Sequence, residues 1–193
     1  MKKYQRYKLM IGIYHHKLGP ILISPKTNCD WLERWDYKNA IVKDGLNTKT
    51  SYLDLYYDEI LIQTQKFTLN DTCLRGHTLR CALFVVVFQP IFKIPPHLLR
   101  SIVIKLKDIA ARNDKRLNAK KVDTFILHTE NVLNTLHLEI ELDIITQIRE
   151  YAVQLRPDLP EVTKESIYAD LGKKFNNLFR LKFKSRETLE LIY

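Results

Sequence analysis

The amino-acid sequence predicts an α+β fold, with an antiparallel sheet of about five strands and a helical C-terminal extension. Up to about residue 93 the apolar residues alternate or cluster as they do in strands, and beyond Pro95-Pro96 they recur with helical spacing. Seven consecutive apolar residues, 82–88, are typical of a central strand that is covered on both faces. We therefore expect an α+β domain over 1–118 and an extension over 119–193 that packs on it or projects from it.

The strands are predicted from two patterns in the first half of the chain. Tyr7, Leu9, Ile11 and Ile13 alternate with Lys8, Met10, Gly12 and Tyr14, which is typical of a half-buried strand. An apolar run resumes at 21–23, and the two segments together indicate a β-hairpin. Residues 53–57 and 60–67 are rich in β-branched and aromatic side chains. They form either one long strand or two strands joined by a bend at Asp58-Glu59.

Helical spacing of apolar residues predicts four helices, over 28–46, after Pro95-Pro96, over 122–155 and from about Thr163. Gly45 is the expected stop of the first helix, because glycine favours the position just beyond a helix end. The apolar stripe of the third helix changes phase near Leu138-Glu139, where a break is expected. Arg156 to Pro160 is the expected hinge before the last helix.

Composition indicates a soluble, cytoplasmic domain. Hydrophobic residues make up 46% of the 193 residues and charged residues 27%, which is ordinary for a globular protein. No apolar stretch approaches the roughly 20 residues that a membrane-spanning helix needs, and the N-terminus lacks the pattern of a signal peptide. Cys29, Cys73 and Cys81 do not cluster, so we expect reduced thiols.

The net charge of +9 is distributed in blocks. Residues 100–121 hold eight basic and two acidic residues, 123–170 hold three basic and ten acidic, and 173–186 hold six basic and none acidic. The blocks are either solvated helix faces that pair internally or a surface for an anionic partner. The candidate partner- or anion-binding residues are Arg75, Arg100, Lys105, Lys107, Arg112, Lys115, Arg116, Lys173, Lys174, Arg180, Lys182, Lys184 and Arg186.

The sequence contains no catalytic motif. Two His-x-Glu pairs, 128–130 and 137–139, resemble part of a zinc site, but no cysteine follows Cys81 to complete it, so we expect solvated or capping roles. Adjacent His15-His16 are poor chelators without further ligands, and five glycines leave little material for a phosphate-binding loop. We expect no enzyme, metal, cofactor or small-molecule substrate. An enzyme would need a pocket in which His15, Arg75 and His77 meet.

The order of a hairpin, a helix, further antiparallel strands and then helices resembles the longin-type fold of trafficking proteins. It also resembles the longin-like proteins of archaea with eukaryote-like signalling components. The resembling segments are Leu9 to Tyr14, Leu18 to Leu22, and Leu74-Arg75-Gly76 leading into Cys81 to Phe88, and the likeness covers about residues 5–118. It implies a non-catalytic module that dimerises, or binds small GTPases, coat components or other trafficking factors, through a sheet edge and a helix.

Two functions are therefore expected as alternatives. The first is a protein-interaction scaffold whose partner is a small GTPase, another trafficking or regulatory protein, or a second copy of the chain. The second is a basic protein that binds nucleic acid or an anionic membrane through residues 100–121 and 173–186. In the second case affinity falls steeply with salt, because phosphate contacts release counterions.

Overall fold

Five strands and three helices make up the part of the chain that the structure describes. This computed structural model describes residues 6–24, 38–57, 60–70, 78–89, 92–111 and 119–153, together with Lys173 and Asn177. The strands are β1 (Tyr7–His15), β2 (Gly19–Ser24), β3 (Tyr52–Tyr57), β4 (Ile60–Asn70) and β5 (Thr78–Val87). The helices are α1 (Lys38–Asn47), α2 (Pro96–Ala111) and α3 (Ala119–Val153). The α+β prediction is confirmed.

The strands form one antiparallel sheet in the order β2-β1-β5-β4-β3. Strand β5 is central, since Phe84 lies opposite Met10 of β1 on one side and Thr64 of β4 on the other. Its residues from Cys81 to Val87 are all buried. The prediction of a central strand covered on both faces is thus confirmed, and the predicted β1–β2 hairpin is present as well.

The structure decides one open alternative and differs from two of the helix predictions. Strands β3 and β4 are separate antiparallel neighbours, with Tyr57 opposite Ile60, so the two-strand alternative is the right one. The predicted stop at Gly45 is wrong, because α1 continues to Asn47. The predicted break near Leu138-Glu139 is also wrong, because α3 is one helix of 35 residues whose buried side chains keep their phase.

Several predicted features lie outside the described residues. These are the first part of the predicted 28–46 helix, the resembling segment Leu74-Arg75-Gly76, the hinge over 156–160 and most of the segment after Thr163. Of that last segment only Lys173 and Asn177 are described, and both are helical.

Helices cover both faces of the sheet. Strand side chains alternate between the faces, so Phe84 and Val86 point towards α1, whereas Leu83 and Val85 point towards α2 and α3. The second face carries the larger core, to which α3 contributes six buried side chains: Val122, Ile126, Leu133, Leu136, Ile140 and Ile144. Helix α3, with which the predicted C-terminal extension begins, therefore packs on the sheet.

Helix α3 also replaces a missing strand beside the first residues of β1. Within the described residues, pairing of β1 with β2 stops at Ile11, which lies opposite Ser24. Towards the N-terminal end of β1, Glu130 Oε2 accepts a hydrogen bond from Leu9 N (3.0 Å), and Asn134 Oδ1 accepts one from Tyr7 N (3.0 Å). Asn134 Nδ2 donates to Tyr7 O (3.1 Å). Two side chains of a helix thus satisfy backbone groups that a strand would otherwise satisfy.

A second buried contact between β1 and α3 involves Tyr7 and His137. The Tyr7 hydroxyl donates to Phe92 O (3.0 Å) and lies 3.0 Å from His137 Nδ1. The other ring nitrogen of His137, Nε2, lies 3.6 Å from Glu141 Oε2, so the imidazole sits between the tyrosine hydroxyl and a carboxylate. Burial raises the pKa of Tyr7 above its ordinary range, so the hydroxyl keeps its proton.

Protonation of His137 is expected to destabilise the protein below neutral pH. Burial, and secondly the positive charge of Arg6, lowers the pKa of His137 from 6.5 to about 4. Between these two values the unfolded chain binds a proton that the folded protein does not. The contribution of His137 to the free energy of unfolding is therefore complete above pH 6.5. Below that pH it falls by about 1.4 kcal/mol per pH unit, down to about pH 4.

Urea denaturation of the wild type and of His137→Gln at pH 7 and pH 5 would measure this effect. We expect the loss of unfolding free energy between the two pH values to be about 2 kcal/mol smaller in the variant. His128→Gln is the matched control, because it makes the same substitution at an exposed position of the same helix. Equal pH dependence in all three proteins would contradict the buried, neutral state of His137.

Candidate interaction surfaces

Strand β3 is an outer strand of the sheet and presents an aromatic side chain to solvent. In the described part of the chain no strand pairs with its outer side. Tyr56 is 64% exposed, and Leu53 and Leu55 are half-buried. The other outer strand, β2, is flanked by helices α1 and α3. An outer strand with unpaired backbone groups can bind an extended segment of another chain.

A polar network holds β3 in place and connects it to the segment before α2. The Tyr52 hydroxyl donates to Asp54 Oδ1, and Lys93 Nζ binds Asp54 Oδ2. Gln63 Nε2 donates to the Tyr52 hydroxyl (2.8 Å) and to Ile94 O (2.9 Å), while its Oε1 accepts from Ile94 N (2.7 Å). Burial, together with the bond to Asp54, raises the pKa of Tyr52. These bonds therefore fix the positions of the Tyr52 and Asp54 side chains on one face of β3.

Four cationic side chains line a second candidate site, which we call the basic cleft: Lys49, Lys66, Arg80 and Lys107. The cleft has a volume of about 550 Å³ and adjoins a recess of about 360 Å³ that shares Thr68 and Lys107. It lies where β4 extends past the start of β3. No carboxylate is found among the described residues that line it.

The cations of the basic cleft come from four separate segments. Lys49 follows α1, and Lys66 lies on β4, where its Nζ donates to Thr48 O near the end of α1. Arg80 lies on β5 directly opposite Thr68 of β4, and Lys107 projects from α2. Lys66 and Arg80 lie on the face of the sheet that α1 covers, whereas α2 lies on the other face. The cleft therefore extends around the edge of β4 and combines residues that are far apart in the sequence.

The thiol of Cys81 borders the basic cleft but is not a nucleophile at neutral pH. Burial raises its pKa to about 12, and the nearby charge of Lys107 lowers it only in part. The thiolate is the reactive form of cysteine. Cys81 therefore acts as a small apolar side chain of the sheet, as its place in the larger core indicates.

Most of the sequence-predicted binding residues lie outside the described residues: Arg75, Arg112, Lys115, Arg116, Lys174, Arg180, Lys182, Lys184 and Arg186. Of the others, Lys107 lines the basic cleft, whereas Arg100, Lys105 and Lys173 do not. Arg100 and Lys173 are exposed, and Lys105 is half-buried. Among the described residues of that predicted group, Lys107 alone lines the basic cleft.

The sequence reasoning missed three of the four cleft cations, namely Lys49, Lys66 and Arg80. A usable signal existed in the strands, since Lys66, Thr68 and Arg80 fall on one face once β4 and β5 are paired as a hairpin. The expectation of solvated roles for the two His-x-Glu pairs was also partly wrong. Glu130 and His137 are buried and hold α3 against β1.

Helix α3 exposes three leucines on one side. Leu127, Leu138 and Leu142 are 46%, 53% and 56% exposed. At about 100° per residue they fall within roughly 60° of one another around the helix. An exposed apolar stripe of this kind is a feature of surfaces that contact other proteins.

Within the described ranges, no group of three histidine, cysteine, aspartate or glutamate side chains could hold a metal ion. The described helices include none with the length and apolar character needed to cross a bilayer. The proposed meeting of His15 with Arg75 and His77 involves residues outside those ranges. No protein-family model matches the chain, and no curated protein matches its sequence significantly.

Proposed function

We propose that this protein is a non-catalytic, cytoplasmic interaction module that binds a protein partner along the outer side of strand β3. The observation that carries the proposal is the open, aromatic edge of the sheet at Tyr56. The resemblance to longin-type domains implies a small GTPase, another trafficking or regulatory protein, or a second copy of the chain as the partner. The exposed leucines of α3 support a function in protein contacts.

The hydrogen-bond pattern indicates which groups of β3 a partner strand would use. Lys66 N donates to Ser51 O (2.8 Å), so Ser51 and Lys66 form a hydrogen-bonded pair. Such pairs alternate along an antiparallel ladder, which directs the amides of Leu53 and Leu55 towards β4. The amides of Asp54 and Tyr56 then point outwards, where an added strand would accept their hydrogen bonds.

Replacing Tyr56 with proline is expected to weaken partner binding by at least about tenfold, since one or more strand hydrogen bonds are lost. The β3–β4 pairing should survive, because proline is tolerated where the missing N–H faces outwards. The measurements are sedimentation velocity for self-association, and co-purification with small GTPases of the same cell loaded with GDP or a GTP analogue.

Tyr56→Ala is the matched control, because it removes the aromatic ring but keeps the outward N–H. Strand addition is indicated if Tyr56→Pro weakens binding more than Tyr56→Ala does. Equal weakening would assign the contact to the side chain. A strictly monomeric protein without any nucleotide-dependent partner would contradict the proposal.

A further inference from the structure

We propose that the basic cleft formed by Lys49, Lys66, Arg80 and Lys107 is a binding site for a small ligand that carries two or more phosphate groups. The site lies at the end of β4 that extends past β3. It uses none of the groups assigned above to partner binding at Tyr56. The inference is therefore independent of the proposed function.

The charge of the basic cleft is the first argument. In the described part of the chain none of the four cations forms an ion pair with a carboxylate. Like charges that share one concave site repel one another and raise its positive potential. A multiply charged anion would remove that repulsion, so the arrangement favours binding an anion over binding a neutral molecule.

The donors in the cleft are the second argument. Arginine presents a planar fork of N–H groups that matches phosphate oxygens, and lysine provides a point charge. Lys66 is oriented by its bond to Thr48 O and keeps further ammonium protons for a ligand. The hydroxyls of Ser51 and Thr68 line the same cleft and add neutral donors.

The size and lining of the cleft define the ligand class. Small-molecule sites typically measure about 300–1,000 Å³, and the cleft has a volume of about 550 Å³. Phe67 is the one aromatic side chain among the described lining residues, and it is buried in the larger core, so no described ring is available to stack on a nucleobase. These features fit a phosphorylated polyol, either free or as the headgroup of a lipid.

Isothermal titration calorimetry of the full chain with inositol trisphosphate and with inorganic pyrophosphate tests the inference. We expect saturable binding that is weakened at least about tenfold in the double variant Arg80→Gln/Lys107→Gln, since two charge-assisted hydrogen bonds are lost. Both side chains are exposed, so the fold should tolerate the change. Lys49→Gln provides a second, single-charge variant that should show a smaller loss.

The matched control is Lys17→Gln/Lys43→Gln, which removes the same charge from exposed positions outside the cleft. Unchanged binding in this control supports a specific site. Equal losses in both double variants would show attraction by net charge alone and would overturn the inference, as would no binding of either ligand to the wild type.

Flotation with phosphatidylcholine vesicles that contain or lack phosphatidylinositol bisphosphate distinguishes the two sources of the ligand. Binding to the lipid-containing vesicles that is lost in Arg80→Gln/Lys107→Gln assigns the cleft to a membrane headgroup. Binding of inositol trisphosphate without vesicle binding assigns it to a soluble metabolite. Equal binding of both double variants to the vesicles would contradict a specific headgroup site.

Discussion

Replacing Gly45 with alanine is expected to lower the free energy of unfolding by about 2–3 kcal/mol, because the added methyl group overpacks the core. A Cβ at this position would clash with Phe84 Cε1 and would lie 2.9 Å from Phe84 Cζ and 3.1 Å from Thr64 Cγ2. The phenyl ring cannot move away easily. It is fully buried, and on its other side a Cβ at Gly12 would lie only 2.8 Å from Phe84 Cε2.

The sign of this effect is informative because local propensity predicts the opposite. Inside a helix, alanine is about 1 kcal/mol more favourable than glycine, and Gly45 lies within α1. Chemical denaturation of Gly45→Ala, and of Lys43→Gly and Lys43→Ala at an exposed position on the same helix, separates the two contributions, because the two Lys43 variants differ by helix propensity alone. If Gly45→Ala gained as much stability over glycine as Lys43→Ala gains over Lys43→Gly, the ring of Phe84 would have room to move and the packing argument would be wrong.

Gly45 also shows where sequence reasoning about the fold reaches its limit. Residue type, apolar runs and proline positions correctly indicate the strands, the central position of β5 and the start of α2, since these depend on local pattern. A glycine after an apolar stripe predicts a helix stop, because that is its commonest local role. In the structure, glycine is needed at this position because Phe84 packs against it. Phe84 is 39 residues away in the sequence and lies next to α1 because of its place in the central strand of the sheet.

The candidate sites were harder to predict for a related reason. Charge blocks in the sequence indicated basic helix faces, yet the basic cleft combines one cation from each of four segments, of which only Lys107 belonged to a predicted block. Glu130 appeared as half of a weak metal motif, whereas the structure uses it to bind the backbone of β1. Both outcomes depend on strand register and on how α3 packs, which composition and spacing do not determine.

Replacing Asn134 with leucine is expected to cost about 3–4 kcal/mol of unfolding free energy, because two backbone N–H groups lose their acceptor. Asn134 Oδ1 accepts from Arg6 N (2.7 Å) and Tyr7 N (3.0 Å), and Nδ2 donates to Tyr7 O (3.1 Å) and to Glu130 O (2.8 Å). Leucine has a similar volume but neither donates nor accepts. The start of β1 would lose the side chain that replaces a neighbouring strand.

Asn131→Leu is the matched control, since Asn131 is exposed one turn earlier on α3 and the same substitution there should change stability by less than about 0.5 kcal/mol.

Asn134→Asp adds a second test. It keeps the acceptor but places an oxygen against the carbonyls of Tyr7 and Glu130, so it should also destabilise the protein. Amide exchange at Tyr7 should accelerate in Asn134→Leu and not in Asn131→Leu. If the two leucine variants were equally stable, the bonds from α3 would not be what holds the start of β1, and packing of the larger core alone would have to explain its position.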